Sequence, residues 1–331
     1  MEIKLGDLFE ISSGGTPLKS HPEYYGGNIP WVKTGDLKSK YLYKVDDYIT
    51  EEGLKNSSAK MYKEDTVLIA MYGATIGATT ILKMSACTNQ ACAAFKKNEK
   101  VMPEYLYYFL KSHKEKFIKD GVGGAQPNIS AGYLKNVKMN LIDMEKQKKI
   151  VEVLDAVLKI IDKRKKEKKD LDNLIKARFV EMFGDAVDNP MRWNKKQLQE
   201  IVTDDCTISY GIVQTGEDQK DGVPVFRPVD IVNRIPKLEE LKKTTEKISN
   251  KYKKTILKGR EMLITVRANI AETCIVGEEF KGCNVGRGIV PIRTKEDIMV
   301  LEFLKYILDS KHINDDIKRK AKGITLIQLN M

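Results

Sequence analysis

Between Leu141 and Asp185 the chain reads LIDMEKQKKIVEVLDAVLKIIDKRKKEKKDLDNLIKARFVEMFGD, and Ile150, Leu154, Val157, Ile161, Leu171 and Ile175 fall on a four-three spacing. That period marks the seam of an α-helix that packs against another helix. No proline or glycine interrupts it before Gly184. A helix from about Glu145 to Met182 would be roughly 55 Å long at the α-helical rise, more than a compact domain needs for its own core. The pattern therefore predicts a spacer with a different unit on each side.

The flanks carry other patterns. Thr66–Gly73 (TVLIAMYG) and Glu261–Ala268 (EMLITVRA) are short apolar, β-rich runs, each followed by a turn and a second strand, ATTIL or ETCIV. PEYLYYFLKSHKEKFIKD and LEFLKYILDSKHINDDIKR instead place apolar residues at helical spacing. These are matched segments. KLGDLFEI pairs with KKQLQEI, NIPWVKTGDL with GVPVFRPVDI, KEDTVLIAMYGATIGATTIL with KGREMLITVRANIAETCIV, PEYLYYFLKS with LEFLKYILDS, and Gly124 of GAQPNIS with Gly323 of GITLIQL. Five matches in one order, at a nearly constant shift, indicate a duplicated domain. The predicted class is mixed α/β: domain 1 over residues 1–140, a long coiled-coil-forming helix over 141–185, and domain 2 over 186–331.

At 331 residues with 42% hydrophobic content, each half is long enough to bury its own core. The N-terminus lacks an apolar leader and no apolar run is long enough to span a bilayer, so a soluble cytoplasmic protein without membrane contact is expected. Five cysteines without C-x-x-C spacing and three scattered histidines predict reduced thiols and no metal site. A formal net charge of +11 points to a polyanionic partner, most economically nucleic acid, although a lysine-rich proteome would give the same balance.

The arrangement of domain, long helix and domain resembles the specificity subunit of type I restriction–modification systems. The resemblance rests on KLGDLFEISSGGTP, IPWVKTGDL, VLIAMYGATIG, GGAQPNIS, EKQKKIVEVLD and RFVEMFGD followed by Trp193. It implies two target-recognition domains that each read half of a bipartite site in double-stranded DNA. It further implies adenine methyltransferase subunits docked on the helical region and a translocating endonuclease subunit. Catalysis would belong to those partners, with S-adenosylmethionine, ATP and Mg on them and no cofactor on this chain. Two features depart from the family pattern. Asp143, rather than a proline, precedes the helix and is its expected cap, and no second helix follows domain 2. The second departure leaves the seam without an intramolecular partner, which predicts self-association or dependence on another subunit. It also motivates an alternative, a truncated decoy that occupies methyltransferase or specificity subunits without directing modification.

Candidate DNA contacts lie in the loops. Tyr72 and Thr75 flank the glycine-rich turn of domain 1; Arg267 and Asn269 occupy the equivalent turn of domain 2, and their side chains suit guanine and adenine in the major groove. Lys33 and Arg227 are suited to phosphates, with Thr34 beside the first; Asp36 and Asp230 brace those loops. Gln126 and Asn128 follow the Gly123-Gly124 pair, and Arg287 is a further basic candidate. Turn chemistry alone accounts for the glycines equally well. Leu171, Leu174 and Phe179 would serve either a partner helix or packing within the chain. The run Asp162–Asp170, with six basic and three acidic residues, reads as a solvated face. Asp230, Glu239 and Glu240 near Lys242 resemble a nuclease carboxylate cluster only weakly, since the same residues suit an ordinary charged helix. Without a phosphate-binding loop or histidine constellation, an enzyme finds little support.

Overall fold

A computed structural model describes residues 2–121, 128–206, 208–231 and 235–321. The chain divides into two compact units, residues 1–165 and 166–331, with the division inside the long helix. At the centre of the first unit is a five-stranded sheet in the order Ile11–Ser13, Cys92–Phe95, Val67–Ala70, Thr79–Leu82, Tyr41–Leu42. Its three middle strands are antiparallel and buried throughout. A strand has a period of two, so an unbroken apolar run such as VLIA is needed where both faces are covered. Val67 and Ile69 pack with Leu106, Leu110 and Phe117 from the helices Pro103–Ser112 and Lys114–Asp120. Leu68 and Ala70 face the other way, into a cluster with Val32, Leu42 and Tyr62. A four-stranded sheet, in the order Tyr48–Ile49, Tyr25–Val32, Ala86–Thr88, Met61–Tyr62, completes the layer structure.

The second unit repeats this plan, with fewer strands among its described residues. Glu261–Thr265 lies between Thr273–Val276 and Ile289–Ile292, all antiparallel. Met262 and Ile264 join Leu301 and Leu304 of the helix Leu301–Asp309, while Leu263 packs with Phe226, Val276 and Val285. The parallel pairing of Trp31 with Cys87 recurs as Val225 with Asn284. Even local strain is repeated: Asp65 and Arg260, at equivalent strand entries, have φ of 66° and 54°. So is a close approach in the opening loop, where a Cβ on Gly14 would lie 2.0 Å from the Thr88 carbonyl oxygen and one on Gly211 would lie 1.7 Å from that of Val285. Only glycine fits at either position.

The long helix spans Met144–Phe183. The Asp143 carboxylate accepts the Lys146 N–H at 2.8 Å and caps it. One face of its first half is tied to the first unit. Gln147, fully buried, accepts from Met102 N–H at 2.9 Å and donates to the carbonyls of Lys100 and Ile142 at 2.8 and 2.9 Å. Val151 is buried one turn on, and Asp155 accepts from both Lys40 and Tyr108. Burial acts to raise the Asp155 carboxyl, but those hydrogen bonds and the Lys40 charge outweigh it and hold it below the ordinary carboxylate value. The last turns belong to the second unit, where Phe179 and Phe183 stack with Phe303 and Tyr306 at centroid separations of 4.9–5.5 Å. Phe179 thus packs within the chain.

The seam residues lie on a different face. Ile150, Val157, Ile161, Leu171 and Ile175 are exposed, as are Val153, Ile160 and Leu174, and Leu154 is half-buried. All five cysteines are buried and unpaired. Burial pushes the thiols of Cys87, Cys92 and Cys274 up to about 12, leaving them protonated and inert.

Candidate nucleic-acid interface

In each unit four chain segments meet at one corner, and the same backbone hydrogen bonds bring them together. In the first unit Asn89 N–H donates to Val32 O at 3.0 Å, Gly15 N–H to Thr88 O at 2.9 Å, and Met71 N–H to Ala91 O at 2.8 Å. In the second, Gly286 N–H donates to Phe226 O, Ile212 N–H to Val285 O, and Val266 N–H to Gly288 O, each at 2.8 Å. These bonds set up a residue-by-residue equivalence at the exposed tips. Lys33 corresponds to Arg227, Tyr72 to Arg267, and Gln90 to Arg287.

At the first corner Lys33 forms an ion pair with Asp47 and sits 5.8 Å from the centre of the buried Trp31 ring. The Asp36 carboxylate accepts the Lys33 N–H at 2.7 Å and fixes the single turn Thr34–Asp36, on which Thr34 is half-buried. Tyr72 is exposed and forms an isolated antiparallel bridge with Asn128, so the chain beyond residue 127 returns beside it. The Thr75 hydroxyl donates to the Tyr72 carbonyl at 3.0 Å, and Gly73 and Gly77 take φ of 61° and 77° in this turn. Gln126 lies outside the described residues. Gln90 is a contact candidate that sequence reasoning missed. It is exposed, and its side-chain oxygen accepts from the Thr16 hydroxyl. Next to it, Asn89 Oδ1 is enclosed without a hydrogen-bond partner among the described residues.

At the second corner Asp230 does more than brace the loop. Its carboxylate accepts the Arg227 N–H at 2.7 Å and grips the guanidinium through Nε and Nη2 at 3.0 and 2.9 Å. Arg227 is thus held in a fixed orientation with part of its donor set committed. Arg267 is half-buried, while Arg287 and Asn269 are exposed. Gly288 lets these groups converge, since a Cβ there would lie 2.4 Å from the Pro228 ring and 3.4 Å from the Arg267 Cβ. Asn269 sits in a turn in which Ala268 and Ala271 have positive φ, and the Thr265 hydroxyl donates to its carbonyl. The acidic group around Asp230 does not assemble into a carboxylate site: Asp230 is bound to Arg227, and Glu240 caps the single turn Leu238–Glu240 through Lys237 N–H. Among the described residues no three His, Cys, Asp or Glu side chains gather as a metal site, and no helix is long and apolar enough to cross a membrane.

The family model for the type I restriction modification DNA specificity domain matches residues 1–173, just over half of the chain. The chain is 31% identical over 219 residues to the type I restriction enzyme MjaIX specificity subunit of Methanocaldococcus jannaschii, covering 60% of this chain and 50% of that protein. It is 23% identical over 295 residues to the EcoBI specificity subunit of Escherichia coli, covering 82% and 62%. It also resembles the crystal structure of a type I system S subunit from M. genitalium, with 14% identity, a TM-score of 0.46 and coverage of 96% and 79%. The chain spans about half to three-fifths of the length of these two curated relatives.

Proposed function

The chain belongs to the family of type I restriction modification DNA specificity domains, and from that premise we propose that it is the DNA-reading specificity subunit of such a system. Each corner addresses one half of a bipartite site in double-stranded DNA. Cationic and backbone groups hold phosphates and fix register, and the side chains at the tips meet base edges. The observation that carries this reading is the pair of corners themselves. They keep one backbone frame, yet Lys33, Tyr72 and Gln90 give way to Arg227, Arg267 and Arg287 at the equivalent positions. A scaffold held constant under altered tips suits two domains that read different half-sites, and the net charge of +11 suits a polyanion.

The chain contributes recognition and leaves chemistry to its partners. Adenine methyltransferase subunits, and through them an endonuclease subunit, carry S-adenosylmethionine, ATP and Mg. Their docking surface is the exposed stripe of the long helix around Ile150, Val157, Ile161, Leu171 and Ile175; a second copy of the chain would compete for it. The assembly works in the cytoplasm. Duplex binding should weaken more than tenfold between 50 and 200 mM salt if at least several phosphates are neutralised. Mapping modified adenines in cells with and without this gene is the direct test. Loss of methylation at one split motif supports the proposal, and an unchanged methylation map overturns it.

A further inference from the structure

We infer that Gln90 and Arg287 read one base pair in each half-site, adenine by Gln90 and guanine by Arg287. This rests on the DNA-reading function proposed above and names the base preference at one position of each domain. Both residues occupy the same place in the repeated frame. Each lies between two residues whose backbones are pinned, Asn89 and Ala91 in one unit and Gly286 and Gly288 in the other. Each is itself exposed. A pinned backbone adds no backbone-ordering cost when the side chain meets a base, which favours a contact at one defined position.

The chemistry separates the two. In the major groove adenine presents the N7 acceptor beside the N6 amino donor, whereas guanine presents two acceptors, N7 and O6. A glutamine amide offers one donor and one acceptor side by side and matches adenine. Thr16 tethers this side chain: its hydroxyl donates to Gln90 Oε1 and holds the amide beside the opening loop. The oxygen keeps a second lone pair, and the amide keeps both N–H donors. Arginine offers only donors, in a planar fork, and matches guanine. A neutral amide is a poor phosphate clamp, so a purely electrostatic role accounts for Arg287 but leaves Gln90 unexplained.

The test is selection from a randomised DNA duplex library by the full chain in complex with its methyltransferase subunits. The expected wild-type product is a split motif. Gln90→Arg should convert one adenine to guanine in one half, and Arg287→Gln one guanine to adenine in the other, each with a preference of roughly tenfold or more. Gln90→Ala, which adds no bulk, should flatten that single position and leave the rest sharp. A wild-type complex that enriches no motif overturns the DNA-reading function and this assignment together. A wild-type motif that the variants leave unchanged, or that they flatten at many positions, overturns the assignment alone.

Discussion

The two units are built alike in their cores and unlike at their exposed corners and at the long helix. Their middle strands, the parallel pairing beside them and the opening glycine at 14 and 211 coincide. Their corner side chains differ, and so does the way each unit holds the long helix. The first unit uses polar groups: buried Gln147 saturated by three backbone partners, and Asp155 between Lys40 and Tyr108. The second unit uses four aromatic rings. Tyr108 and Tyr306, which make these contacts, occupy equivalent positions on equivalent helices. One helix face thus serves two docking chemistries, so the frame constrains position more tightly than it constrains the kind of interaction placed there.

Four perturbations would break or sharpen this comparison. Gln147→Ala removes three hydrogen bonds from a fully buried site and should cost about 3 kcal/mol. Hydrogen exchange should accelerate around Lys100–Met102 and Ile142–Asp155 while the second unit stays protected. Equal acceleration in both units would deny that the polar anchor belongs to the first alone. Gly14→Ala and Gly211→Ala should each cost about 2 kcal/mol through collision with a strand carbonyl; exchange should report the same effect in both units, and a tolerated alanine in either would break the equivalence of the opening loops. Phe179→Ala, at a partly exposed aromatic cluster, should cost about 1–2 kcal/mol and loosen only the second dock. Acid should separate the docks by the smallest margin. The Asp155 carboxyl sits below its ordinary value of 3.8 when folded. Its contribution is therefore present above that value and lost as pH falls through the lowered one. The first dock should loosen toward pH 3 by less than about 1 kcal/mol, because the group is partly exposed. The aromatic contacts themselves should not respond, as exchange at pH 3 and 6 would reveal.

The long helix was legible because its apolar positions are periodic, and the core strands because each is an unbroken, β-rich apolar run. The expected span from about Glu145 to Met182 compares with Met144–Phe183, and the runs VLIA and MLIT are strands buried on both faces. The anchor was not legible. Gln147 and Asp155 read as ordinary solvated positions in a charged helix, and only the backbone groups they meet, distant in sequence, give them a structural role. The corner was half legible. Tyr72, Arg267 and Arg287 stood out by residue type, while Gln90 was hidden in ACTNQACAAF, where no local spacing marks a turn; its match to Arg287 appears only through cross-strand hydrogen bonds. The matching glycines at 14 and 211 were missed for the same reason, since SSGGTP and SYGIVQ share almost no other letters.

The central claim is that each unit reads its own half of one split DNA site. It is tested most directly by replacing Arg227, Arg267 and Arg287 together with alanine and repeating the library selection with the methyltransferase complex. One half of the enriched motif should lose its sequence while the other half and the spacing persist. Loss of both halves, or of neither, would contradict the account.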